Sequence, residues 1–316
     1  MVLKPQKLPK FYTTVRADCA MKLITEKVIN FISDRISGNY DIIDLTWFDQ
    51  YDESIKNLKG DFVLAVDVAD PPYFLPEKLA WMKGLSKPVY YVGPIIKNFP
   101  YPIIPFFGWL RFRFQNITNK VKHENFFVSF NRKPHKHRQI YFNELSNHPD
   151  LISKGYCSFF EIQPKHELAQ LTLDNNIFKL QSLAQEIDEK QLYSSFEIVC
   201  ETSATNYHVF LTEKFNKCIS SETPLLLIGD YNTLTTLKTY YGFHDFGPDD
   251  SYDREPDYTT RLSKVLSVAK NFFNLPLQKT FDNAKRNAEH LHEKFDDIHD
   301  GYVEKAISCI KYIYTQ

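Results

Sequence analysis

Glycine is scarce in this 316-residue chain: ten residues, about 3% against an ordinary share of about 7%. A glycine-rich phosphate loop is therefore not expected, and neither G-x-G-x-x-G nor G-x-x-x-x-G-K-[ST] occurs. Net charge is nearly absent, with 38 basic side chains against 39 acidic ones, which removes global basicity as a reason to expect a nucleic-acid binder. The five cysteines are widely spaced, odd in number and form no C-x-x-C. That argues against a disulfide framework or a structural zinc site, and for a reducing compartment. No window approaches 18 uninterrupted apolar residues, and the first residues lack the apolar core of a signal peptide. A soluble cytoplasmic protein is the expectation. What the chain has in quantity is aromatic, with 26 Phe, 19 Tyr and 3 Trp, ample for a large core.

Its pattern is α/β. The run Phe62-Val-Leu-Ala-Val66 is apolar throughout, as in a strand buried on both faces, and stops at Asp67-Val-Ala-Asp70-Pro71-Pro72. Strands are also predicted at 11–15, 40–45 and 88–92, with helices at 21–36, 54–58 and 75–84. The alternation breaks in a proline-rich and then polar stretch after residue 94. It restarts with strands at 126–130, 156–160, 196–200 and 224–229 and helices at 134–145, 178–187, 210–220 and 231–241. Amphipathic segments at 280–295 and 302–314 end the chain. Strands alternating with helices imply parallel sheets. The predicted organisation is an N-terminal α/β domain over residues 1–120, a second α/β domain over 121–279, and C-terminal helices over 280–316 that pack back on the first.

Ligands of open α/β sheets bind beyond the carboxyl ends of the strands. Three such places stand out. In the first, the strand ending at Asn131 runs into Arg132-Lys-Pro-His-Lys-His-Arg138, fixed positive charges at a predicted helix start. Helix N-termini favour anions, so cations gathered there suit a bound phosphate or diphosphate, and Arg138 can make bidentate contacts to it. A solvated basic loop is the plain alternative. In the second, the strand ending at Cys200 is followed by Glu201, a polar loop with Tyr207, and Thr212-Glu213-Lys214. Thr212 suits an N-cap, with Glu213 and Lys214 in the first turn. The third, Phe246-Gly-Pro-Asp-Asp-Ser-Tyr-Asp-Arg254 with Arg261 beyond, could close over a ligand or be an acidic surface loop.

The order Phe196, Glu201, Thr202, Ser203, Tyr207, Thr212, Glu213, Lys214, then Pro224 to Gly229, resembles the donor-binding signature of the α-1,3-fucosyltransferases and related glycosyltransferases. The strand ending at Asn131, the basic loop with Arg138, and Tyr141 and Leu145 beyond it are similar to that family's first donor-domain strand and helix. The resemblance covers roughly residues 126–246. It implies two Rossmann-like domains facing a cleft, the GT-B arrangement, and a nucleotide diphosphate sugar on the second. Arg138 and Lys214 would hold the diphosphate and Glu213 the ribose hydroxyls, with Tyr207 and Glu201 near the transferred sugar. Asn131, Arg132 and Thr212 join the donor-binding set. Thr202 stands where an asparagine is usual and Val209-Phe210-Leu211 lengthens the loop, so the sugar is left open.

No metal or other cofactor is expected. The close pairs His135/His137 and His290/His292 lack the spacing and carboxylates of a metal site, and no D-x-D triplet follows a predicted strand. Fixed cations can replace a metal ion on the leaving diphosphate. The acceptor hydroxyl needs a base on the first domain, and Asp67 and Asp70 are the candidates, with Asp18 and Glu53 as rivals. The acceptor would be a glycan or lipid-linked sugar. An alternative takes hydroxylated bases of DNA, from the run Trp109-Leu-Arg-Phe-Arg-Phe114, Lys120, Lys122 and His135–Arg138. Another is a nucleotide-binding module without activity.

Overall fold

The computed structural model describes residues 11–12, 19–36, 38–45, 58–67, 75–111, 126–131, 135–159, 189–204 and 208–314. The chain is a mixed α/β protein with two parallel sheets, divided into two compact units. One is Met1–Gly108 with His299–Gln316, and the other is Trp109–Ile298. The first unit thus ends at Gly108, before the expected boundary near residue 120. Asp18, Glu53, Asp70, Lys120, Lys122, Arg132 and Tyr207 lie outside the described residues, as do the helices predicted at 54–58 and 178–187.

In the first unit, strands β1 (Phe11–Tyr12), β2 (Tyr40–Asp44), β3 (Phe62–Val66), β4 (Val89–Gly93) and β5 (Ile103–Pro105) form one parallel sheet in sequence order. Helix α1 (Cys19–Ser33) precedes β2, and α2 (Leu75–Lys83) joins β3 to β4. Every residue of β3 and of β4 is buried, as apolar strands of a covered parallel sheet require. Val63, Ala65, Ile43, Trp81, Met82 and Tyr91 pack into one core. The C-terminal segment is tied in by the Phe107 amide, which donates to His299 Nε2 at 3.2 Å, and by Arg35, 3.7 Å from Asp300.

In the second unit, β6 (Phe127–Asn131), β7 (Gly155–Phe159), β8 (Phe196–Cys200) and β9 (Leu225–Ile228) form a four-stranded parallel sheet in the order β9-β8-β6-β7. The chain goes from β6 to β7 on one side, then returns to build β8 and β9 on the other. The order therefore reverses between β6 and β8. Stacked rings hold that seam: Phe127 lies 5.3 Å from Phe196, which lies 4.1 Å from Phe272. Helices α3 (Lys136–Ser146) and α4 (Glu213–Ser220) follow β6 and β8. Next come α5 (Thr233–Tyr241), α6 (Tyr258–Asn271), α7 (Gln278–Glu293) and α8 (Phe295–Tyr314).

Two helix starts differ from the sequence reading by three residues or more. Helix α4 begins at Glu213, not Phe210, because Thr212 caps it, its side chain accepting from the Lys214 amide. Phe210 and Leu211 look helical only because they are apolar; both are buried in the preceding loop. Helix α8 begins at Phe295, not Tyr302, and carries Asp296 and Asp297 in its first turn, where negative charge complements the helix dipole. Helix α7 belongs to the second unit: Asn287 accepts from the His244 amide at 2.7 Å.

Candidate functional site

In open α/β sheets the crevice where the strand order reverses, at the carboxyl ends, is the usual ligand position. Here it lies between Asn131, which ends β6, and Glu201, which follows β8. Three elements meet there: the start of α3, the end of β8 and the start of α4.

The start of α3 reaches across the reversal. His137 Nε2–H donates to the backbone oxygen of Glu201 at 2.9 Å, and buried Arg138 donates to the Cys200 oxygen at 3.2 Å and lies 3.5 Å from Thr202 Oγ1. His137 is held from behind by Tyr258, whose hydroxyl donates to the His137 backbone oxygen at 2.7 Å. Burial lowers the His137 pKa to about 4, and the charges of Arg138 and Lys214 push it the same way. The ring is therefore neutral at pH 7. Asn131 is buried, its Nδ2 donating to Ser129 Oγ at 3.2 Å, while its Oδ1 has no partner among the described residues.

The start of α4 is fastened to the end of β8 by a buried carboxylate. Glu201 Oε1 accepts from the Thr212 amide at 3.0 Å, and Oε2 accepts from Thr212 Oγ1 at 2.7 Å and from the Thr202 amide at 3.3 Å. Both oxygens are engaged, so in this geometry Glu201 orients the cap of α4. Thr212 Oγ1 in turn lies 3.2 Å from Lys214 Nζ, and Lys214 Nζ is 3.8 Å from Glu213 Oε1. Burial would raise the Glu213 carboxyl, but Lys214, Lys217 and Arg138 outweigh it and hold the pKa below the usual range. Burial drives the Cys200 thiol up to about 11 although Arg138 and Lys214 pull it down. The same two cations thus act on His137, Cys200 and Glu213. Both cations stand at the carboxyl end of β8, beside the Glu201 and Glu213 carboxylates.

The third place is built differently from a closing flap. Asp250 accepts from the Phe246 and Gly247 amides, each at 2.9 Å, and pairs with Lys238 at 3.0 Å. Asp253 caps α5 through the Leu234 and Thr235 amides, at 3.1 and 2.8 Å. Tyr252 Oη accepts from the Leu227 amide at 2.9 Å. These side chains brace the second unit internally. Arg261 does the same at the end of β9, donating to the Gly229 oxygen at 3.0 Å.

Asp67 lies in the first unit, just after β3, and is fully buried. Its Oδ2 is 2.8 Å from Lys78 Nζ and accepts from the Tyr91 hydroxyl at 3.1 Å, while Oδ1 has no partner among the described residues. Burial raises its pKa to about 6, with Lys78 and Tyr91 opposing. Among the described residues no three His, Cys, Asp or Glu side chains gather as a metal site. Of the run proposed to meet DNA, Trp109 and Leu110 are buried and Arg111 is 4.0 Å from Asp296. No helix among the described residues is long and apolar enough to cross a membrane.

Sequence reasoning missed Tyr258 and the clasp of Glu201 on Thr212. Asp257 signals the helix on which Tyr258 sits, its carboxylate accepting from the Thr260 amide at 2.8 Å. Nothing in the sequence pairs Tyr258 with His137.

No protein-family model and no curated protein matches the chain. Among solved structures it is similar to the pneumococcal O-GlcNAc transferase GtfA in complex with UDP and GlcNAc, at 12% identity and a TM-score of 0.36, over 89% of this chain and 55% of that one. It is similar to the Glycosylation Associate Protein (Gap123) complex from Streptococcus agalactiae, at 12% identity and a TM-score of 0.36, over 90% of this chain and 57% of that one. It is similar as well to an alpha1,3-fucosyltransferase, at 10% identity and a TM-score of 0.35, over 85% of this chain and 90% of that one. The chain spans little more than half the length of the first two. At these identities and TM-scores, the likenesses assign the chain neither a family nor an activity.

Proposed function

We propose that the second unit binds a nucleoside diphosphate sugar where the strand order reverses between β6 and β8, and that the chain transfers the sugar to a hydroxyl of a glycan or lipid-linked sugar. The observation that carries this reading is the pair Arg138 and Lys214, two cations from separate strand–loop–helix segments acting on one strand end. The two cations stand in the first turns of α3 and α4, at the favourable end of each dipole for a bound anion. Glu213, 3.8 Å from Lys214 Nζ, balances part of that charge, and a diphosphate can bridge the two cations.

In transfer, the bond from the anomeric carbon to the diphosphate oxygen breaks as the acceptor oxygen bonds that carbon and loses its proton. Negative charge grows on the leaving diphosphate. Preorganised cations stabilise it, and removing one such group costs roughly 2–4 kcal/mol in transition-state stabilisation. Glu213 is ionised at neutral pH and suits the ribose hydroxyls. Glu201 is a positioning residue that fixes Thr212 and so the start of α4. Asn131, Arg132 and Tyr207 stay in the donor-binding set on the signature. Asp67 is the proposed base from its place just after β3, where burial brings its pKa toward the range useful for proton transfer. Asp70 is the other candidate.

A thermal-shift series with nucleoside diphosphates and their sugars tests the reading. Stabilisation should grow with ligand concentration as RT ln(1 + [L]/Kd), and the bound sugar should be slowly hydrolysed when no acceptor is present. Stabilisation without any turnover would leave a nucleotide-binding module in place of a transferase.

A further inference from the structure

We infer that the second unit carries a separate site for a small neutral polyhydroxylated ligand, a saccharide, in a cavity between α7 and the loop after α5. The cavity has a volume of about 590 Å³, within the range of small-molecule sites. It lies at the amino end of the sheet, opposite the reversal point: Gly247 lines it, and the neighbouring Phe246 oxygen accepts from the amide of Leu225, the first residue of β9.

The buried face of α7 carries a polar stripe at helical spacing, Thr280, Asn283 and Asn287. Asn287 is matched to backbone, accepting from the His244 amide at 2.7 Å and donating to the His244 and Asp245 oxygens. The other two line the cavity. Each residue is only 4% exposed, yet neither is among the side chains whose polar atoms are sealed from water without a partner. Their hydroxyl and amide open on the cavity, where the hydroxyls of a ligand can take the place of water.

Charge and shape decide its class. Of the charged residues in the wall, Lys279 and Arg286 are balanced by Asp245 and Asp282. Asp245 is engaged on both oxygens, by Lys238 at 3.1 Å and Lys279 at 3.8 Å. The wall therefore has no net charge to select an ion. It offers donors and acceptors together, beside the apolar surfaces of Leu275 and Pro276. Hydroxyls on a ring with apolar C–H faces match that combination.

The test is ligand-observed saturation-transfer NMR on the full chain with maltose, with N,N′-diacetylchitobiose and, by ³¹P line width, with inorganic phosphate. At least one disaccharide should bind. The shape-preserving variants Thr280→Val and Asn283→Leu should each weaken that binding by roughly tenfold or more while leaving nucleotide binding unchanged. Three results would overturn the inference: no binding of either disaccharide, binding that survives both substitutions, or binding of phosphate alone. Circular dichroism on both variants separates lost binding from lost structure.

Discussion

His137 Nε2 stands 2.9 Å from the backbone oxygen of Glu201, so the helix after β6 is pinned to the strand end across the reversal. Nε2–H donates this bond, and burial keeps the ring neutral even though the bond itself favours the charged form. The folded pKa, about 4, lies below the ordinary 6.5. A lowered pKa contributes stability that is present above 6.5 and lost as pH falls through about 4. Melting temperature should drop over that window, and His137→Gln, which can donate but cannot titrate, should flatten the drop. An unchanged pH profile would remove His137 from this role.

Glu201→Ala removes both contacts to the α4 cap Thr212 and the one to the Thr202 amide. Leaving the buried Thr212 amide unmatched should cost about 1–3 kcal/mol of stability in a denaturant titration. Nucleotide affinity should fall with it, since Lys214 follows the same cap. Glu201→Gln keeps one acceptor oxygen and should lose less. Equal losses in both variants would point to the charge, not the clasp.

Gly155 pairs with Phe127 across β7 and β6. A Cβ at this position would fall inside the Phe127 ring, and that ring stacks on Phe196. Gly155→Ala should therefore destabilise the chain by about 1–3 kcal/mol through overpacking. A variant as stable as the wild type would mean that Phe127 has room to move.

Asp67→Asn should lower transfer and leave nucleotide binding unchanged. Where Asp67 is the base, kcat rises with pH through about 6 as the carboxylate ionises. Stability moves oppositely, because a raised folded pKa contributes stability below the ordinary value of 3.8 that is lost as pH rises through about 6. Normal transfer by Asp67→Asn would shift attention to Asp70. Activity should also persist in excess EDTA, and loss restored by Mg²⁺ would show a missed metal site.

Much of the fold was legible because burial on both faces leaves an unmistakable run. Phe62–Val66 and Phe196–Cys200 are strands with the bounds read from sequence. The candidate site was legible as pieces: Asn131 ends a strand, Arg138 and Thr212 through Lys214 each follow one, and Thr212 caps α4 as its chemistry suggests. What sequence could not supply is strand order. Only the return of β8 to the far side of β6 makes neighbours of Arg138 and Cys200, 62 residues apart. The same blindness applies to Asp250 and Asp253, which read as an acidic loop and are internal braces. It applies again to Thr280 and Asn283, whose place in a cavity wall exists only once α7 packs.

The central claim is that Arg138 and Lys214 together hold a diphosphate, and calorimetric titration with nucleoside diphosphates tests it most directly. The wild-type chain should bind at least one of them, and Lys214→Ala and Arg138→Gln should each weaken it roughly tenfold or more, as loss of a charge-assisted contact does. Asp67→Asn should bind as the wild type does. Circular dichroism on both cation variants separates lost binding from lost structure. Absence of nucleoside diphosphate binding by the wild type, or undiminished binding by both folded cation variants, would contradict the account.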